Sequence, residues 1–351
     1  MPPMDGVELP WDPVALEAAA RERLPDVAYA YYAAGAGLET TVAANPRAWE
    51  RWWLRPRVLV DVATVSTATT VLGTAVRLPV LLAPCAFHRL AHPDAEAATA
   101  RAAAAAGTVM IVSTHSSLPL EEVVPHATAG AWFQLYCDPD PEVTAARVRR
   151  AEASGCSALV VTVDAPVWGV RYRGLGDSAA FAAAAGSTAV SSGAATFLGL
   201  DWTAVERLAA TTALPVVLKG ILHPADAARA AEIGVAAVVV SNHGGRQLDG
   251  SIPPALALPE VVEAVTGRLE VYVDGGVRSG ADVLRALALG ARAVLVGRPY
   301  LWALTLGGDA GVLALLRRLS LETANAMTLA GQTDATRVER GIVVAGGAPL
   351  S

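Results

Sequence analysis

Eight short apolar runs, each followed by a segment with helical periodicity, constrain the fold of this chain more than any other feature. The runs are apolar throughout rather than alternating with polar residues, which is typical of parallel strands covered on both faces. Eight strand–helix repeats predict an α/β fold, a (β/α)8 TIM barrel. A doubly wound open sheet is the alternative that the order of elements leaves open. The runs span residues 78–84, 108–114, 131–137, 158–166, 214–220, 236–242, 270–276 and 293–299.

Three segments fall outside this repeat. Residues 1–77 contain two helical stretches within 13–37 and are predicted to form an N-terminal helical cap on the barrel, which spans residues 78–335. Residues 172–200, in the loop after the fourth strand, are rich in small residues and have few large apolar groups to bury. We therefore expect a shortened, mobile lid there. Residues 336–351 are predicted to be a C-terminal tail.

The composition limits where the protein works and what it binds. The formal net charge is −6, so no overall basic field recruits nucleic acid or an anionic membrane surface. The N-terminus has no basic, apolar leader, and we find no apolar run of about 18 residues free of polar residues and Gly, which argues against a signal peptide and a membrane span. Three cysteines without a C-x-x-C pair indicate reduced thiols and a cytoplasmic location.

Polar and charged residues cluster at the carboxyl ends of the predicted strands. In a barrel of this kind, catalytic residues gather at that rim. Any one of these residues could belong to an ordinary turn, but a shared rim with Lys, His, Asp and Arg indicates an active site. The residues are Ser113, Gln134, Tyr136, Thr162, Asp164, Lys219, Ser241, His243, Asp274, Gly297 and Arg298.

Two glycine-containing segments at this rim, DGGVRSGADV (274–283) and VGRP (296–299), indicate a phosphate site. Glycines let the backbone approach an anion, and Arg278 and Arg298 offer charged donors. The loops after strands 7 and 8 are also the usual phosphate position in these barrels. The alternative is a tight turn in which Ser279 only caps the next helix.

Lys219 is the one lysine among the 27 basic residues of the chain. It ends an apolar strand, so its ammonium is expected inside the rim, where a buried cation needs a partner. It could stabilise negative charge on a cofactor or serve as a Schiff-base amine. With a phosphate site opposite, both flavin mononucleotide (FMN) and a phosphorylated sugar fit this pattern.

The segment SNHGGRQLDG (241–250) resembles the active-site signature of the FMN-dependent 2-hydroxy acid oxidases and dehydrogenases, such as glycolate oxidase, lactate oxidase and mandelate dehydrogenase. The resemblance runs from about residue 15 to about residue 330 and includes LPDVAYAYYAAGAG, RPRVLVDV, APCAFHRLAHPDAE, WFQLYC, VTVDAP, VVLKG, DGGVRSGADV and LVGRP. These motifs together are highly specific. They imply FMN as the cofactor and a 2-hydroxy acid as the small-molecule substrate.

The resemblance also implies roles for individual residues. His243 is similar to the base that takes a proton as the substrate's C2–H becomes a reducing equivalent, and Asp164 to the carboxylate that orients this base. Arg246 and Arg171 correspond to the arginines that hold the substrate carboxylate, since a guanidinium fork suits a carboxylate. Tyr29 and Tyr136 match the two tyrosines that contact the substrate.

The cofactor contacts implied by the resemblance fall into three groups. Lys219 is expected near flavin N1 and C2=O, where it stabilises the anionic reduced ring. The ring, ribityl and phosphate contacts are expected from Pro84, Cys85, Ala86, Ser113, Gln134, Thr162, Ser241, Asp274, Gly275, Gly276, Val277, Arg278, Gly297 and Arg298.

Departures from the family pattern surround the expected substrate side chain. His115 stands where glycolate-type enzymes have Trp, Trp168 replaces a smaller apolar residue, and Cys85 replaces a frequent Thr. The shortened lid implies an open site in which Arg171 is held less firmly. These features predict a larger or aromatic, mandelate-like (S)-2-hydroxy acid, with Trp168 stacking on it.

Several functions remain open at this point. The first is an oxidase that passes electrons to O2 and gives a 2-oxo acid and H2O2, and the second is a dehydrogenase with a quinone or protein acceptor. The third is an FMN- or phosphosugar-dependent isomerase, lyase or biosynthetic enzyme, and the fourth is a non-catalytic scaffold. The His243, Asp164 and arginine set argues against the third and fourth functions, and the absence of a membrane segment favours the oxidase over the dehydrogenase. The resemblance further implies a homotetramer and requires no metal ion.

Overall fold

The computed structural model describes residues 8–173 and 198–346, and its centre is a closed barrel of eight parallel strands. Each strand pairs with its neighbours in chain order, and the last strand closes on the first. This confirms the predicted (β/α)8 barrel and excludes the open sheet. The predicted lid, 172–200, lies outside the described residues apart from its two ends.

A helical cap precedes the barrel in the chain. Its elements are α1 (Pro13–Arg23), α2 (Asp26–Ala33), α3 (Thr40–Glu50), β1 (Trp52–Leu54) and the hairpin of β2 (Thr69–Val71) and β3 (Thr74–Val76). The sequence analysis did not predict α3, which contains Pro46 and lacks a local side-chain cap. Asp249, distant in sequence, accepts hydrogen bonds from the main-chain N–H groups of Leu38 (3.0 Å) and Thr41 (2.9 Å) at this helix start. A tertiary contact therefore replaces the missing cap.

The barrel and its outer layer follow. They consist of β4 (Val80–Leu82), α4 (Ala95–Ala106), β5 (Met110–Val112), α5 (Leu120–Val123), β6 (Ala131–Leu135), α6 (Pro141–Ala153), β7 (Ala158–Thr162), α7 (Trp202–Thr211), β8 (Val216–Ile221), α8 (Pro224–Glu232), β9 (Ala237–Val240), α9 (Pro254–Val265), β10 (Glu270–Val273), α10 (Gly280–Ala288), β11 (Ala293–Val296), α11 (Arg298–Leu329) and β12 (Val343–Ala345). Strand β12 pairs antiparallel with β1 and so joins the cap.

Alternate residues of the barrel strands enter two separate apolar clusters. Leu81, Ile111, Trp132 and Tyr272 fill the barrel interior, whereas their sequence neighbours face the helices. Both layers are buried, which explains why the strands read as continuous apolar runs. The β2–β3 hairpin adds Val71 and Val76 to the interior cluster, and the main-chain N–H of Leu72 donates to Glu270 at the start of β10. The hairpin thus closes the end of the barrel opposite the strand C-termini.

Helix α9 contains a proline, Pro259, in its interior. Proline has no N–H to donate to the carbonyl of Ala255 one turn back. The indole Nε1 of Trp52 donates to that carbonyl instead, at 2.9 Å. The cap therefore satisfies a backbone group that the proline leaves without a helical partner.

Helix α11 is the one helix in the described part of the chain that is long and apolar enough to cross a membrane. However, 61% of its most apolar window is buried inside the protein. It packs against α1, α4 and α10 and bends at Gly307 and Gly308. A buried core helix meets the same length and hydropathy criteria, so the helix is weak evidence for a membrane span.

Candidate active site

The side chains of His243, Asp164 and Tyr136 meet at the carboxyl end of the barrel. His243 Nδ1 lies 2.9 Å from Asp164 Oδ1, and Tyr136 OH lies 3.5 Å from His243 Nε2. Burial by itself would raise the pKa of Asp164, but the adjacent His243 and Lys219 outweigh that effect and lower it. Asp164 is therefore a carboxylate at neutral pH, and it can stabilise a positive charge on the imidazole. This leaves Nε2, on the Tyr136 side, as the nitrogen that can accept a substrate proton.

The backbone at His243 is held in an uncommon conformation. Its φ of 57° lies in the left-handed region, which costs a residue with a Cβ on the order of 1 kcal/mol or more. The main-chain N–H of His243 donates to Ser241 Oγ at 3.0 Å. Asn242 and Asn45 of α3 exchange two amide hydrogen bonds, 2.8 and 2.9 Å long. The cap thus holds residues 241–243, the catalytic loop, in the conformation that points the His243 imidazole into the site.

A bulge in β8 makes room for Asp164. The strand register shifts between Lys219 and Ile221, and Gly220 between them has a φ of 117°. A Cβ on Gly220 would lie 2.5 Å from the Cβ of Asp164, so only glycine permits this approach. The bulge also directs Lys219 into the site.

Lys219 is a buried cation with two partners. Its ammonium lies 2.8 Å from Asp274 Oδ2 and donates to Ser241 Oγ at 2.9 Å. Burial alone would lower the pKa of Lys219, but the carboxylates of Asp274 and Asp164 outweigh it and raise the pKa. Lys219 is therefore charged at neutral pH, which favours an electrostatic role over that of a Schiff-base amine.

Two arginines from the barrel bind the end of helix α2. Arg246 Nη1 donates to the carbonyls of Tyr31 (2.8 Å), Tyr32 (3.2 Å) and Ala34 (2.9 Å). Arg298 donates to the carbonyls of Tyr32 (3.0 Å) and Ala34 (3.3 Å), and through Nη1 to Gly244 (2.9 Å). These carbonyls are the ones that a helix C-terminus leaves without partners, and its dipole favours cations there. The same contacts fix the guanidinium planes beside the site.

The cavity carries an excess of positive charge. Four arginines and Lys219 line it, whereas Asp274 is the one carboxylate among its described lining residues. Burial, together with the neighbouring arginines, lowers the pKa of Arg298 to about 9 and that of Arg171 to about 10. Burial also lowers the pKa of Arg278. Buried cations without counter-ions are costly. This arrangement favours anionic ligands.

A hydrogen-bonded polar ladder crosses the strand ends on the other side. Gln134 Nε2 donates to Thr162 Oγ1 at 2.9 Å, and its Oε1 accepts from Ser113 Oγ at 3.3 Å. All three side chains are buried. These bonds fix the orientation of the Gln134 amide. Its N–H donor and its carbonyl acceptor can then face the polar edge of a planar ligand ring.

The structure places nearly all the predicted site residues around this one cavity. Ser241 and Asp164 lie just behind it, because Ser241 supports Lys219 and Asp164 supports His243. The predicted residues that line it are Pro84, Cys85, Ala86, Ser113, Gln134, Tyr136, Thr162, Arg171, Lys219, His243, Arg246, Asp274, Gly275, Gly276, Val277, Arg278, Gly297 and Arg298.

Tyr29 does not lie in the cavity, and Tyr31 takes the place predicted for it. Tyr29 OH donates to Glu17 Oε1 at 3.0 Å, and its ring packs against Trp302. The Tyr31 ring lines the cavity, with the Arg246 Cζ 5.1 Å and the Arg171 Cζ 5.9 Å from its centroid. Residues two apart on a helix point in nearly opposite directions. The choice between the tyrosines therefore depends on which face of α2 meets the barrel.

The predicted phosphate loop lies at the cavity, and its Gly276 has a further structural reason. A Cβ on Gly276 would lie 2.3 Å from the carbonyl oxygen of Asn45, so the glycine admits helix α3. Ser279 caps α10 in a capping box with Asp282, as the alternative interpretation predicted. Capping and anion binding are compatible here, because Arg278 still lines the cavity.

Arg171 is anchored by the cap. Its backbone forms a β-bridge with Gly37, whose N–H donates to the carbonyl of Val170 at 2.8 Å. The expectation that this arginine is held loosely is therefore not met at the level of its backbone. The side chain stays close to Tyr31, as described above.

Three aromatic residues form one wall of the cavity. The ring centroids of His115 and Tyr136 are 5.4 Å apart, and Trp168 lies 6.3 Å from His115 and 6.1 Å from Tyr136. Burial, followed by the nearby Arg147, lowers the pKa of His115, which is thus neutral at neutral pH. The rings are tilted against one another and the wall is uncharged, so it suits an apolar or aromatic group.

The cavity fits the FMN that the sequence motifs imply. Asp274 Oδ1 is buried without a hydrogen-bond partner in the described structure. It needs a donor, and a ribityl hydroxyl of FMN is such a donor. The arginines match a phosphate, and the ladder of Gln134 matches the polar edge of a flavin ring. Lys219 would lie where negative charge develops on that ring.

Comparisons with known proteins agree with this site. Residues 20–345 match the family model described as "FMN-dependent dehydrogenase". An L-lactate oxidase from Nostoc sp. is 46% identical over 93% of this chain and 96% of its own. A 4-hydroxymandelate oxidase from Amycolatopsis orientalis is 46% identical over 90% of this chain and 93% of its own.

Solved structures give the same result. A crystal structure of mandelate oxidase superimposes with a TM-score of 0.88 at 43% identity, and covers 96% of this chain and 99% of that chain. A second, with (S)-4-hydroxymandelic acid, has a TM-score of 0.87 at 43% identity and covers 95% and 98%. Since fold, site and family model agree over nearly the whole length, the chain belongs to the FMN-dependent dehydrogenase family, as its motifs predicted.

Proposed function

We propose that this protein is an FMN-dependent oxidase of (S)-2-hydroxy acids with a large or aromatic side chain, producing the 2-oxo acid and H2O2. The observation that carries the proposal is the His243–Asp164 pair, 2.9 Å apart, beside a cavity lined by four arginines. A base next to carboxylate-binding groups is what the oxidation of a 2-hydroxy acid requires.

The chain's own residues bind and orient the substrate. Arg246, Arg171 and Tyr31 hold the carboxylate, since both guanidinium groups lie near the Tyr31 ring in the cavity that His243 lines. The C2 hydroxyl then lies within hydrogen-bond reach of both His243 Nε2 and Tyr136 OH, which are 3.5 Å from each other. His243 takes the proton, and the Asp164 carboxylate stabilises the resulting imidazolium.

FMN, held by Arg278, Asp274, Lys219 and Gln134, supplies the two-electron acceptor for C2 and a route for those electrons to O2. The oxidase names of the relatives support O2 as the acceptor, and a mandelate oxidase variant has been solved with a C4a-OH-FMN adduct. The wall of His115, Tyr136 and Trp168 supports an aromatic substrate.

The test is the visible spectrum of the purified protein, recorded without air while (S)- and (R)-2-hydroxy acids are added one at a time. We expect a yellow protein that (S)-mandelate bleaches faster than glycolate, with colour returning quickly in air and H2O2 formed in equal amount to the acid oxidised. A yellow protein that no hydroxy acid bleaches contradicts the proposed reaction. Slow return of the colour in air contradicts the oxidase and favours the dehydrogenase.

A homotetramer and a cytoplasmic location are the remaining parts of the proposal. The first rests on the family resemblance and the second on the sparse cysteines. Size-exclusion chromatography with light scattering tests the assembly, and a monomer in solution would contradict it.

A further inference from the structure

A second cavity lies behind the aromatic wall of the active site. We call it the side chamber, and it shares His115, Tyr136, Thr162 and Trp168 with the active-site cavity. Its volume is about 310 Å³, at the low end of the range of roughly 300–1,000 Å³ for small-molecule sites. Its other lining residues are Thr114, Cys137, Asp138, Pro139, Arg147, Val163, Ala165, Pro166 and Leu200.

Tyr136 contacts His243 in the active-site cavity and Arg147 in the side chamber. Its hydroxyl lies 3.5 Å from His243 Nε2, and its main-chain carbonyl accepts a hydrogen bond from Arg147 Nη1 at 2.9 Å. The base and Arg147 are therefore separated by about the length of one tyrosine residue. A substrate ring that lies along the Tyr136 ring, with C2 at His243, points its far end toward Arg147.

The side chamber is polar at its far end but carries no net charge there. Arg147 Nη2 lies 3.2 Å from Asp138 Oδ2, and both side chains are about one-third exposed. Burial raises the pKa of Cys137 to about 11, so its thiol is neutral at neutral pH. A carboxylate entering the chamber would compete with Asp138 for Arg147, so it would lose water without gaining an unpaired counter-ion. A neutral hydrogen-bonding group would find both a donor and an acceptor.

We infer that the side chamber is a second substrate subsite, which takes the far end of an aryl 2-hydroxy acid whose ring carries a neutral hydrogen-bonding group. This inference rests on the proposed function and adds the part of the substrate beyond the ring. It makes Arg147 and Asp138 specificity-determining residues that contact no reacting atom.

A series of ring-substituted substrates, assayed with the FMN-loaded enzyme, tests the inference. The acids are mandelate and its 4-hydroxy, 4-carbamoyl and 4-carboxy derivatives, of which the last two have nearly the same size. We expect kcat/KM for the 4-carbamoyl acid to equal or exceed that for mandelate, and to exceed that for the 4-carboxy acid at least tenfold. Equal values for the carbamoyl and carboxy acids would overturn the inference.

Variants whose larger side chains fill the side chamber provide a second test of the inference. Cys137→Leu and Leu200→Trp add volume from two different sides, and neither residue lines the active-site cavity. Both are expected to lower the ratio of kcat/KM for the 4-carbamoyl acid to that for mandelate about tenfold. Ala146→Leu, at an exposed position beside Arg147 on α6, is the matched control and should leave the ratio unchanged.

Binding of the 2-oxo acid products, measured by calorimetry, gives a readout that needs no turnover. The filled variants should lose affinity for the 4-carbamoyl product and keep that for benzoylformate. An unchanged ratio and unchanged affinities in both folded variants would show that the chamber is not a subsite. If mandelate is oxidised and kcat/KM is the same for all four acids, only this inference fails. If no 2-hydroxy acid reduces the flavin, the proposed function fails as well.

Discussion

Replacing Tyr31 or Tyr29 by phenylalanine tests which of the two tyrosines of helix α2 contacts the substrate. Tyr31 lines the cavity, whereas Tyr29 lies outside it. Tyr31→Phe keeps the ring under Arg246 and Arg171, whose Cζ atoms lie 5.1 and 5.9 Å from its centroid. The change removes a hydroxyl beside the proposed carboxylate position. Hydrogen bonds to charged groups contribute about 1.5–3 kcal/mol, which corresponds to roughly a 10- to 150-fold loss. We expect that loss in kcat/KM, mainly through KM.

Tyr29→Phe is the matched control. Its hydroxyl donates to Glu17 Oε1 at 3.0 Å, and this bond is partly exposed. We expect kcat/KM within about twofold of wild type, and a decrease of at most about 1.5 kcal/mol in the free energy of unfolding. Steady-state kinetics with one 2-hydroxy acid and urea unfolding of both variants measure these effects. Equal losses in kcat/KM, or a larger loss for Tyr29→Phe, would refute the placement of helix α2 on the barrel.

Three further changes test how the site is held. Gly220→Ala places a Cβ 2.5 Å from that of Asp164, so we expect a fall in kcat of about 100-fold or more; Gly155→Ala, which is also at positive φ but in open space, should keep kcat. Lys219→Met leaves the buried carboxylate of Asp274 without its ion-pair partner and should lower the unfolding free energy of the apoprotein by about 3–5 kcal/mol. Because the folded pKa of Lys219 is raised, this difference should be complete below about pH 10.4 and shrink as the pH rises further; a difference that already vanishes near pH 8 would contradict the charge assignment. Asn45→Ala breaks the amide pair with the catalytic loop and should cost about 1–3 kcal/mol of stability and lower the rate of flavin reduction, and unchanged kinetics would exclude a positioning role.

Long-range contacts explain the elements that sequence reasoning missed. Helix α3 takes its cap from Asp249, and its Asn45 pairs with Asn242, 197 positions away. The carbonyl that Pro259 leaves open in α9 is satisfied by Trp52. None of these partners is recognisable from a local pattern, because each is supplied by another part of the chain.

The sequence by itself determined the barrel and most of its rim. Strands buried on both faces must be apolar at every position, so eight of them are visible as continuous runs. All parallel strands end on the same side, and this brings Lys219, His243, Asp274 and Arg298 together whatever the exact packing. The chemistry of the rim was therefore predictable once the number and direction of the strands were known.

Only the tertiary structure decided which groups face the substrate and which support them. Tyr31 rather than Tyr29 enters the cavity, because the packing of α2 on the barrel selects one face of that helix. Gly276 makes room for the backbone of Asn45, and the side chamber behind Tyr136 has no sequence motif. Helix rotation, close backbone approach and cavity shape depend on how separate elements pack together, and no local stretch of sequence encodes that packing.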